Sequence, residues 1–477
     1  MLFKNIYQDN IEETPQLLKL KFSKLKQESL TKDVWVLDER RTFLDKISKD
    51  CQTLGSITHV SKGMDTGLNK AFIIKRDTIN RYNIEKNILK RVLKNSDINR
   101  YSIQDSEHFL IYTTNETKIS DYPNTQKYLG SFKKDLMERW EYKKHKCKWY
   151  RISTLRSKEL FDNAKEKIYS PYRSTSNTFA LDENNFYGMT DTTIIVPKDK
   201  QVNLKYLLAV LNSKLLNFYV KLTGKKKGNS FEYFADYLKR LPIKKINDSN
   251  KNLVEIISYK ADEIFNFKIM HNKIIESFNQ ALSNQPIKEP KSCKFGHYFD
   301  HYELYGMERE TSGRINEIKA KILSLDVKEE DNKLVIYMTN YNEEQDQLWE
   351  DIKAVKLAIK DEDVRKFLFF ALKKYINGKG GRGFGSGNLL ELLKNIEVPV
   401  YVANVKMNID KIKDVMKEFN HLTTDLWFKD ESKKEKFKSL NELEAGIKKT
   451  DREIDEMVYD LYGITEEEKK IIEASLK

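Results

Sequence analysis

The hydrophobic pattern of this chain changes period at two points, near Cys51 and near Pro242, and these changes constrain the fold more than any single motif. Between the two points, short runs of β-branched and aromatic residues such as ITHVS, HFLIYTT and TTIIVP are separated by Gly, Asn, Asp and Ser, which is typical of strands. Outside them, the apolar residues recur at helical spacing. The sequence therefore predicts an α+β fold, in which a mixed α/β domain is flanked by helical segments and the C-terminus is helical.

This pattern divides the chain into five segments. Residues 1–50 are predicted as a helical linker, from LLKLKFSKLKQESL and RTFLDKISK, and residues 51–245 as the mixed domain. Residues 246–284 are predicted as one long spacer helix. Residues 285–405 form a mixed α/β insertion with one strand (KLVIYM) and one helix (DVRKFLFFALKKYI). Residues 406–477 form a C-terminal helical segment.

Within the mixed domain, three longer stretches have helical spacing: NIEKNILKRVLK, TQKYLGSFKKDLMERWEYKK and LKYLLAVLNSKLLNFYVKL. KAFIIK and NTFAL are predicted strands. Trp140 and Trp149 are expected to pack beneath the sheet. The apolar residues of the third helical stretch are predicted to be core, namely Leu207, Leu208, Leu211, Leu215, Leu216 and Phe218.

The C-terminal helical segment carries clear helix signals. Gly463 is expected to end one helix, and Thr465 with Glu468 to form a capping box for the next. Tyr459 and Tyr462 are expected to fix these helices. The apolar stripe of the first helix is predicted to be Ile454, Met457, Val458 and Leu461, with Asp451, Asp455 and Glu456 facing outward.

Positive charge is concentrated in one half of the chain. Residues 1–250 contain 47 Lys and Arg against 30 Asp and Glu, whereas residues 251–477 contain 38 against 42. Such a concentration makes a field that attracts a polyanion. The asymmetry favours a nucleic-acid-binding face over an ordinary solvated, lysine-rich surface.

Cysteine content and hydropathy indicate the compartment. Three cysteines in 477 residues cannot form a disulfide framework, which indicates reducing conditions. The N-terminal residues are charged where a signal peptide would be apolar, and the most apolar stretch, Tyr206 to Leu222, is interrupted by lysines. We expect a cytoplasmic protein that does not associate with a membrane.

Two motif matches are better explained by ordinary structure. Gly378, Gly380 and Gly383 satisfy G-x-G-x-x-G, but a helical pattern precedes them where a dinucleotide site needs a strand, so a flexible loop is predicted. Cys293 and two histidines four and eight residues later, His297 and His301, would share one face of a helix as zinc ligands. Gly296 weakens such a helix and a fourth ligand is not evident, so we predict no metal site.

The ordered series SKGMDTGLNKAFIIKRDTI, IYSPYRSTSNTFALDENNFYGMTDTTIIVP, YLLAVLNSKLLNFYVKLTGKKKGNSFEYFADYLKRLPI and TDREIDEMVYDLYGITEEEKKIIE resembles the C-terminal half of type IIG restriction–modification enzymes. These are adenine-specific DNA methyltransferases with a TaqI-like target-recognition domain. The resemblance covers about Trp35 to Leu241 and the last 30 residues. The Leu-Asn-Ser helix followed by a polar loop and Leu-Pro, between Leu211 and Pro242, also resembles type I specificity subunits.

The resemblance implies that residues 51–245 are a DNA target-recognition domain of a restriction–modification system. In that family, a preceding domain methylates adenine with S-adenosylmethionine, and its Asn-Pro-Pro-Tyr motif has no counterpart in these 477 residues. We therefore expect a separated specificity half or a gene fragment that acts with a methyltransferase or endonuclease chain. S-adenosylmethionine and Mg²⁺ are expected only on that partner or missing domain, with no cofactor in this chain.

The residues themselves favour binding of double-stranded DNA. Three lysines lie between Gly224 and Gly228, which suits a mobile loop that contacts phosphates. A turn with a glycine lies before a strand near residue 67, and two arginines beside tyrosines suit the two-pronged contact with guanine. The predicted DNA-binding residues are Thr66, Gly67, Asn69, Lys70, Arg100, Arg173, Ser174, Lys225, Lys226, Lys227 and Asn229.

Two other functions stay open. Asp105, Glu116 and Lys118 have the spacing of a metal-dependent nuclease, and either these residues or the region 285–400, which the resemblance does not cover, would make the chain a Mg²⁺-dependent endonuclease subunit. Alternatively, the acidic C-terminal half recruits a methyltransferase chain and the protein contributes little DNA affinity itself. The sequence shows no oligonucleotide-binding barrel pattern, so a single-strand or RNA binder is disfavoured.

Overall fold

The structure is a computed structural model, and its chain divides into two compact units. The first comprises residues 1–265 and 450–476, and the second residues 266–449. The described residues are 2–3, 23–24, 41–104, 106, 108–154, 158–228, 230–283, 291–298, 301–305, 320–342, 347–378, 382–386, 389–400, 412–414, 416–417 and 440–476. Because these residues form both helices and several small sheets, the predicted α+β class is confirmed.

Two four-stranded sheets form the centre of the first unit. The strands of the first sheet, in spatial order and all antiparallel, are Ala180–Asp182, Lys167–Pro171, Thr192–Pro197 and Thr58–Lys62. The strands of the second sheet are Tyr187–Gly188, Leu89–Leu93, His108–Ile111 and Ile73–Lys75, of which the first pair is parallel. One hydrophobic cluster joins the sheets, with Tyr169 and Ile194 from the first and Val92 and Leu110 from the second.

The described residues of this unit also form short helices, two smaller strand pairings and a three-stranded sheet. Cys51–Thr53 pairs with Pro242–Lys244, and Leu2–Phe3 pairs with Ser23–Lys24. The described α-helices up to residue 250 are Arg41–Ser48, Leu54–Ile57, Asn69–Phe72, Arg76–Tyr82, Pro123–Gly130, Lys133–Met137, Trp140–Lys143, Lys158–Asn163, Leu204–Asn212, Lys214–Thr223 and Ala235–Leu238. Most of the predicted 1–50 linker lies outside the described residues. Its helix at RTFLDKISK is confirmed, whereas the helix predicted for LLKLKFSKLKQESL is wrong at Ser23–Lys24, which form a short strand with Leu2–Phe3.

The stretch NIEKNILKRVLK is where the predicted helix is wrong. Only a 3-10 turn, Lys86–Ile88, is helical, and Leu89–Leu93 is a strand. Both Val92 and Leu93 are fully buried, and the strand has hydrogen-bonded neighbours on both edges. Sheet pairing therefore overrides the helical period of the local sequence. The strand predicted for KAFIIK is confirmed only in its second half. Its first residues belong to the helical turn Asn69–Phe72, which precedes the strand Ile73–Lys75.

The apolar stretch from residue 204 to 223 is two helices rather than one. Ser213 has an extended backbone, and its hydroxyl accepts a hydrogen bond from the Leu216 amide as the N-cap of the second helix. Asn212, directly before the break, is fully buried, and its side-chain amide bonds both the amide and the carbonyl of Phe179, each at 2.9 Å. The six predicted core residues of this stretch are confirmed as buried.

The C-terminal helix Leu440–Leu461 packs on this break through residues predicted to face outward. The Asp451 carboxylate accepts hydrogen bonds from Arg100 and from the Tyr101 hydroxyl, both at 2.6 Å. Asp455 is buried, and its carboxylate accepts the Lys214 amide at 2.8 Å. The outward assignment of Asp451 and Asp455 is therefore wrong, because both carboxylates satisfy donors inside the unit.

The predicted helix end at Gly463 and the predicted capping box are confirmed, while most of residues 406–439 lie outside the described residues. Gly463 has a φ of +68° where the helix ends, and Thr465 and Glu468 form the capping box that begins the helix Glu466–Leu476. The buried Tyr462 hydroxyl donates to the Pro242 carbonyl and accepts the Lys244 amide, both at 3.1 Å. The C-terminal helices are thereby fixed to the strand that ends the predicted domain. In the apolar stripe, Ile454, Val458 and Leu461 are buried.

The second unit contains a five-stranded antiparallel sheet. Its strands, in spatial order, are His301–Leu304, Gln347–Ala358, Lys333–Asn342, Ala320–Glu330 and Arg382–Ser386. Its helices are Glu362–Gly378 and Leu389–Lys394, and Lys291–Lys294 pairs with Glu397–Val400. The long helix Lys251–Ser283 runs from the first unit into the second, which confirms the predicted spacer helix.

The glycine-rich segment of the second unit lacks the order of elements of a dinucleotide site. The helix Glu362–Gly378 precedes it and the strand Arg382–Ser386 follows it. Gly380 lies outside the described residues. Within the part of the chain that the structure describes, no helix is long and apolar enough to cross a membrane.

We predict that Asp455→Asn stabilises the protein at neutral pH. Burial raises the pKa of Asp455 to about 6, against the opposing charge of Arg100 and with the added repulsion of Asp451. Because this pKa lies above the unfolded value, stability falls as the pH rises from about 4 to about 6, by up to about 3 kcal/mol. Asn keeps an acceptor for the Lys214 amide but cannot ionise. The free energy of unfolding of the variant, measured by denaturant unfolding, should therefore not fall between pH 4.5 and pH 7.5.

Asp451→Asn is the matched control on the same helix. It removes the partner of Arg100 and should lower stability at pH 7.5. An Asp455→Asn variant that is less stable than the wild type at pH 7.5, with the same pH dependence, would contradict the prediction.

Candidate nucleic-acid interface

A three-stranded sheet brings together basic residues that are more than 50 positions apart in sequence. Its strands are Lys226–Lys227, Ser230–Glu232 and Arg173–Ser174, and we call it the basic sheet. The predicted mobile lysine loop is thus wrong, since Lys226 and Lys227 are one strand of a hairpin. Gly228 has a φ of +60° at its turn, where a residue without a Cβ is favoured. Arg173 lies beside this hairpin because it pairs with Glu232 across the sheet.

A buried carboxylate orders the cations of the basic sheet. Glu232 is 4% exposed and accepts hydrogen bonds from Lys225 at 2.9 Å and from Arg173 at 3.4 Å. The hydrogen bond from Lys225 and the nearby charge of Arg173 hold the pKa of Glu232 below its usual value. The carboxylate is therefore ionised at neutral pH and anchors both side chains, while Lys225, Lys226, Lys227 and half of the Arg173 surface face solvent.

An aromatic side chain extends this surface to the central sheet. Two cations lie near the Tyr172 ring, with Arg173 at 5.9 Å and Lys62 at 5.3 Å from its centroid. Lys62 ends the strand Thr58–Lys62. In contrast, Ser174 is buried and its hydroxyl bonds the Thr178 hydroxyl at 3.1 Å, which gives it a place inside the loop. Asn229 lies outside the described residues.

The predicted turn at residue 67 is ordered by a buried threonine. The Thr66 hydroxyl donates to the Asn69 side chain at 2.6 Å and accepts the Leu68 amide at 3.1 Å. Gly67 has a φ of +71°, and a Cβ there would lie 2.8 Å from the Ser153 Cβ. Thr66 thus shapes the turn from inside, while Asn69 and Lys70 are exposed on its surface.

Arg139 fixes this turn to the most basic segment of the domain. Its buried guanidinium donates to the carbonyls of Thr66, Leu136 and Trp149 at 2.8 to 3.0 Å. Lys70 pairs with Asp135 in the same segment at 2.6 Å. Sequence reasoning missed this role, because nothing in the local pattern separates Arg139 from the exposed lysines around it.

The basic sheet and the turn are connected by a short piece of chain. The chain runs from Lys62, beside Tyr172, to Gly67, beside Arg139, in five residues. Five residues span at most about 18 Å. The major groove of DNA is about 12 Å wide, so contacts from both groups to a single duplex are sterically reasonable.

Arg100 lies elsewhere, against the C-terminal helix. Its guanidinium pairs with Asp451, and the Asp451 charge raises the pKa of Arg100 although burial opposes it. This pairing gives Arg100 a structural role within the unit. A contact between Arg100 and guanine stays a prediction.

The alternative metal-dependent sites gain no support. Asp105 lies outside the described residues, and Glu116 and Lys118 are exposed. Cys293 lies on the strand Lys291–Lys294, whereas His301 begins the strand His301–Leu304, so the spacing of these residues does not lie on one helix. Among the described residues, no group of three or more His, Cys, Asp and Glu could hold a metal ion.

Comparison with known proteins identifies the domain. Residues 90–243 match the family profile of the TaqI-like C-terminal specificity domain. The type II methyltransferase M.HindII from Haemophilus influenzae is 26% identical over 287 residues, which is 54% of each chain. The type II methyltransferase M.HincII from the same species is 27% identical over 271 residues, 54% of this chain and 53% of the relative. The chain thus spans about half the length of these curated relatives.

Two solved structures are more distant neighbours. A type I restriction–modification S subunit from M. genitalium covers 85% of this chain and 95% of its own at 13% identity, with a TM-score of 0.30. The type IIG restriction endonuclease BpuSI covers 47% of this chain and 28% of its own at 14% identity, with a TM-score of 0.33. At these scores, neither structure informs the arrangement of the present chain. The specificity domain predicted from sequence is confirmed by the family match.

We predict that Gly67→Ala destabilises the protein by at least about 2 kcal/mol, since it combines a left-handed backbone with steric overlap at Ser153. Gly228→Ala is the matched control, because its φ of +60° is similar but its Cβ would meet nothing within 4 Å. This control should cost about 1 kcal/mol. Equal losses in denaturant unfolding would show that the turn is not packed as described.

Proposed function

We propose that this chain reads a short double-stranded DNA sequence in the cytoplasm on behalf of a restriction–modification adenine methyltransferase. The observation that carries the proposal is the TaqI-like specificity domain at residues 90–243, within which Arg173 is held beside the lysine hairpin. A specificity domain needs contacts that position it on the duplex and contacts that read bases. The basic sheet offers side chains of both kinds.

The lysines of the basic sheet are suited to phosphates. Lys226 and Lys227 are exposed on a two-residue strand, and lysine binds phosphate as a point charge without demanding one geometry. Contacts of this kind supply affinity and a strong dependence on salt, but no sequence information.

Arg173 is suited to read a base. Its planar guanidinium matches the O6 and N7 acceptors of guanine in the major groove. Glu232 and Tyr172 restrict its side chain before DNA arrives, which lowers the entropy lost on binding. In this role, Glu232 positions Arg173 while half of the arginine surface stays available to DNA.

The methyl transfer itself belongs to a partner in this proposal. The sequence has no Asn-Pro-Pro-Tyr motif, and the described residues contain no cluster of ligands for Mg²⁺. In this proposal, S-adenosylmethionine and Mg²⁺ bind to a methyltransferase or endonuclease chain that this protein directs to its site, or to a domain outside these 477 residues. The residues of this chain would bind and orient the duplex.

We expect the full chain to bind duplex DNA with an affinity that falls steeply between 50 and 200 mM salt. The double variant Lys226→Ala, Lys227→Ala should weaken binding to all sequences and reduce the slope of log K against log salt by about 2. Lys353→Ala, in the second unit, is the control and should change neither value. Fluorescence anisotropy with a labelled random duplex measures both, and no salt-dependent binding by the wild type would refute the proposal.

Arg173→Ala should relax base preference rather than salt dependence. Selection from a random duplex pool should yield a short consensus for the wild type and a consensus degenerate at one guanine for the variant, with a loss of about 1–3 kcal/mol at that position. An unchanged consensus would remove Arg173 from base recognition and leave the lysine prediction standing.

A further inference from the structure

Trp140 is exposed at the most basic part of the specificity domain. Its side chain is 57% exposed, whereas sequence analysis placed it beneath the sheet, so that prediction is wrong. Trp149, also expected there, is partly buried against the core. Exposing the largest apolar side chain gives the folded protein no stability, and exposed aromatic residues are characteristic of binding surfaces.

The structure holds a lysine over this ring. The Lys146 ammonium lies 4.3 Å from the Trp140 ring centroid, a cation–π contact. After the short helix Trp140–Lys143, the chain turns back through His145, whose φ is +55°. The Lys146 amide donates to the Glu141 carbonyl at 2.8 Å, and Arg151 donates to the Lys146 carbonyl at 3.1 Å. The position of Lys146 is therefore set by the backbone.

The residue before Trp140 fixes the backbone on the other side of the ring; we call Trp140 and Lys146 the platform. Arg139 is buried and hydrogen-bonds three carbonyl groups, one of them in the turn at Thr66. The Ser153 hydroxyl also donates to the Glu141 side chain at 2.5 Å. Trp140 is thus presented by a rigid segment, next to the turn that carries Asn69 and Lys70.

Charge identifies the class of partner. Between Lys133 and Arg151 there are eight Lys or Arg and three Asp or Glu. Lys143, Lys144, Lys146 and Lys148 are all exposed in this segment, and Lys146 lies over the ring. An exposed aromatic ring in a lysine-rich segment matches the sugar and phosphates of a nucleic acid strand, where apolar contact and charge act together.

We propose that Trp140 and Lys146 form a second DNA contact, which packs against the sugar–phosphate backbone of duplex flanking the sequence read by the basic sheet. This inference rests on the proposed function and adds a surface that carries affinity without base preference. Because Trp140 is uncharged, its contribution is independent of salt. Lys146 contributes one phosphate contact and keeps the ring in place.

The test uses the full chain and the labelled random duplex described above. Trp140→Ala should weaken binding about 10-fold at every salt concentration, with the slope of log K against log salt unchanged. Trp140→Phe should restore most of the loss, and Lys146→Ala should weaken binding and reduce the slope by about 1. Tyr259→Ala is the control, since Tyr259 is even more exposed, at 66%, and lies on the spacer helix.

Tryptophan fluorescence gives a second measurement, since DNA would not protect Trp140 from a quencher if Trp140 had only a structural role. Iodide should quench the exposed Trp140 in the free protein, and duplex DNA should protect it. Trp140→Phe should lack this protected fraction, although four other tryptophans remain.

The outcomes separate the two proposals. If the wild type binds DNA and the hairpin variant is weakened while Trp140→Ala binds normally, only the second contact is refuted. A Trp140→Ala variant that binds DNA normally but no longer binds a co-expressed methyltransferase chain would make the platform a protein contact and also refute it. If the wild type shows no salt-dependent duplex binding, both proposals fail.

Discussion

The break between the two helices at Asn212 and Ser213 is the interaction on which the first unit depends. Asn212 holds both hydrogen-bonding groups of the Phe179 backbone, and Ser213 begins the second helix. The Phe179 carbonyl also accepts the amide of Tyr101. Since a buried backbone group without a partner costs about as much as a lost hydrogen bond, one side chain at a helix end fixes two other parts of the chain.

The hydrogen bonds around Asn212 also determine where the basic sheet lies. Asn177, two residues before Phe179, donates to the Leu211 carbonyl at 2.7 Å and accepts the Tyr233 hydroxyl at 3.1 Å. Tyr233 directly follows the hairpin strand that pairs with Arg173. The position of the basic sheet is therefore fixed by hydrogen bonds that reach the helix break. On the opposite side of the break, Asp455 caps the second helix, which makes the C-terminal segment part of the specificity domain's support.

Sequence analysis predicted the elements whose signal is local and missed those decided by distant partners. The strand Thr192–Pro197 and the capping box at Thr465 follow from their own residues. Leu89–Leu93 has a helical pattern and becomes a strand only because two other strands pair with it. Arg173 and the lysines at 225–227 are all predicted DNA-binding residues, but their place in one sheet is not predicted, because Arg173 joins the hairpin through a pairing that spans more than 50 residues.

A count of charges also overstates how many cations of a basic segment are exposed. From Asn124 to Arg173 there are 14 Lys and Arg against six acidic residues. Of these cations, Arg139 is buried and donates hydrogen bonds to three carbonyl groups, and Lys167 is buried with its ammonium 3.6 Å from the Asp182 carboxylate. The sequence cannot separate these structural cations from the exposed ones, because charge is the same in both and only burial distinguishes them. The buried cations instead hold the backbone of this segment, since Arg139 directly precedes Trp140, so part of the positive charge stabilises the fold rather than facing solvent.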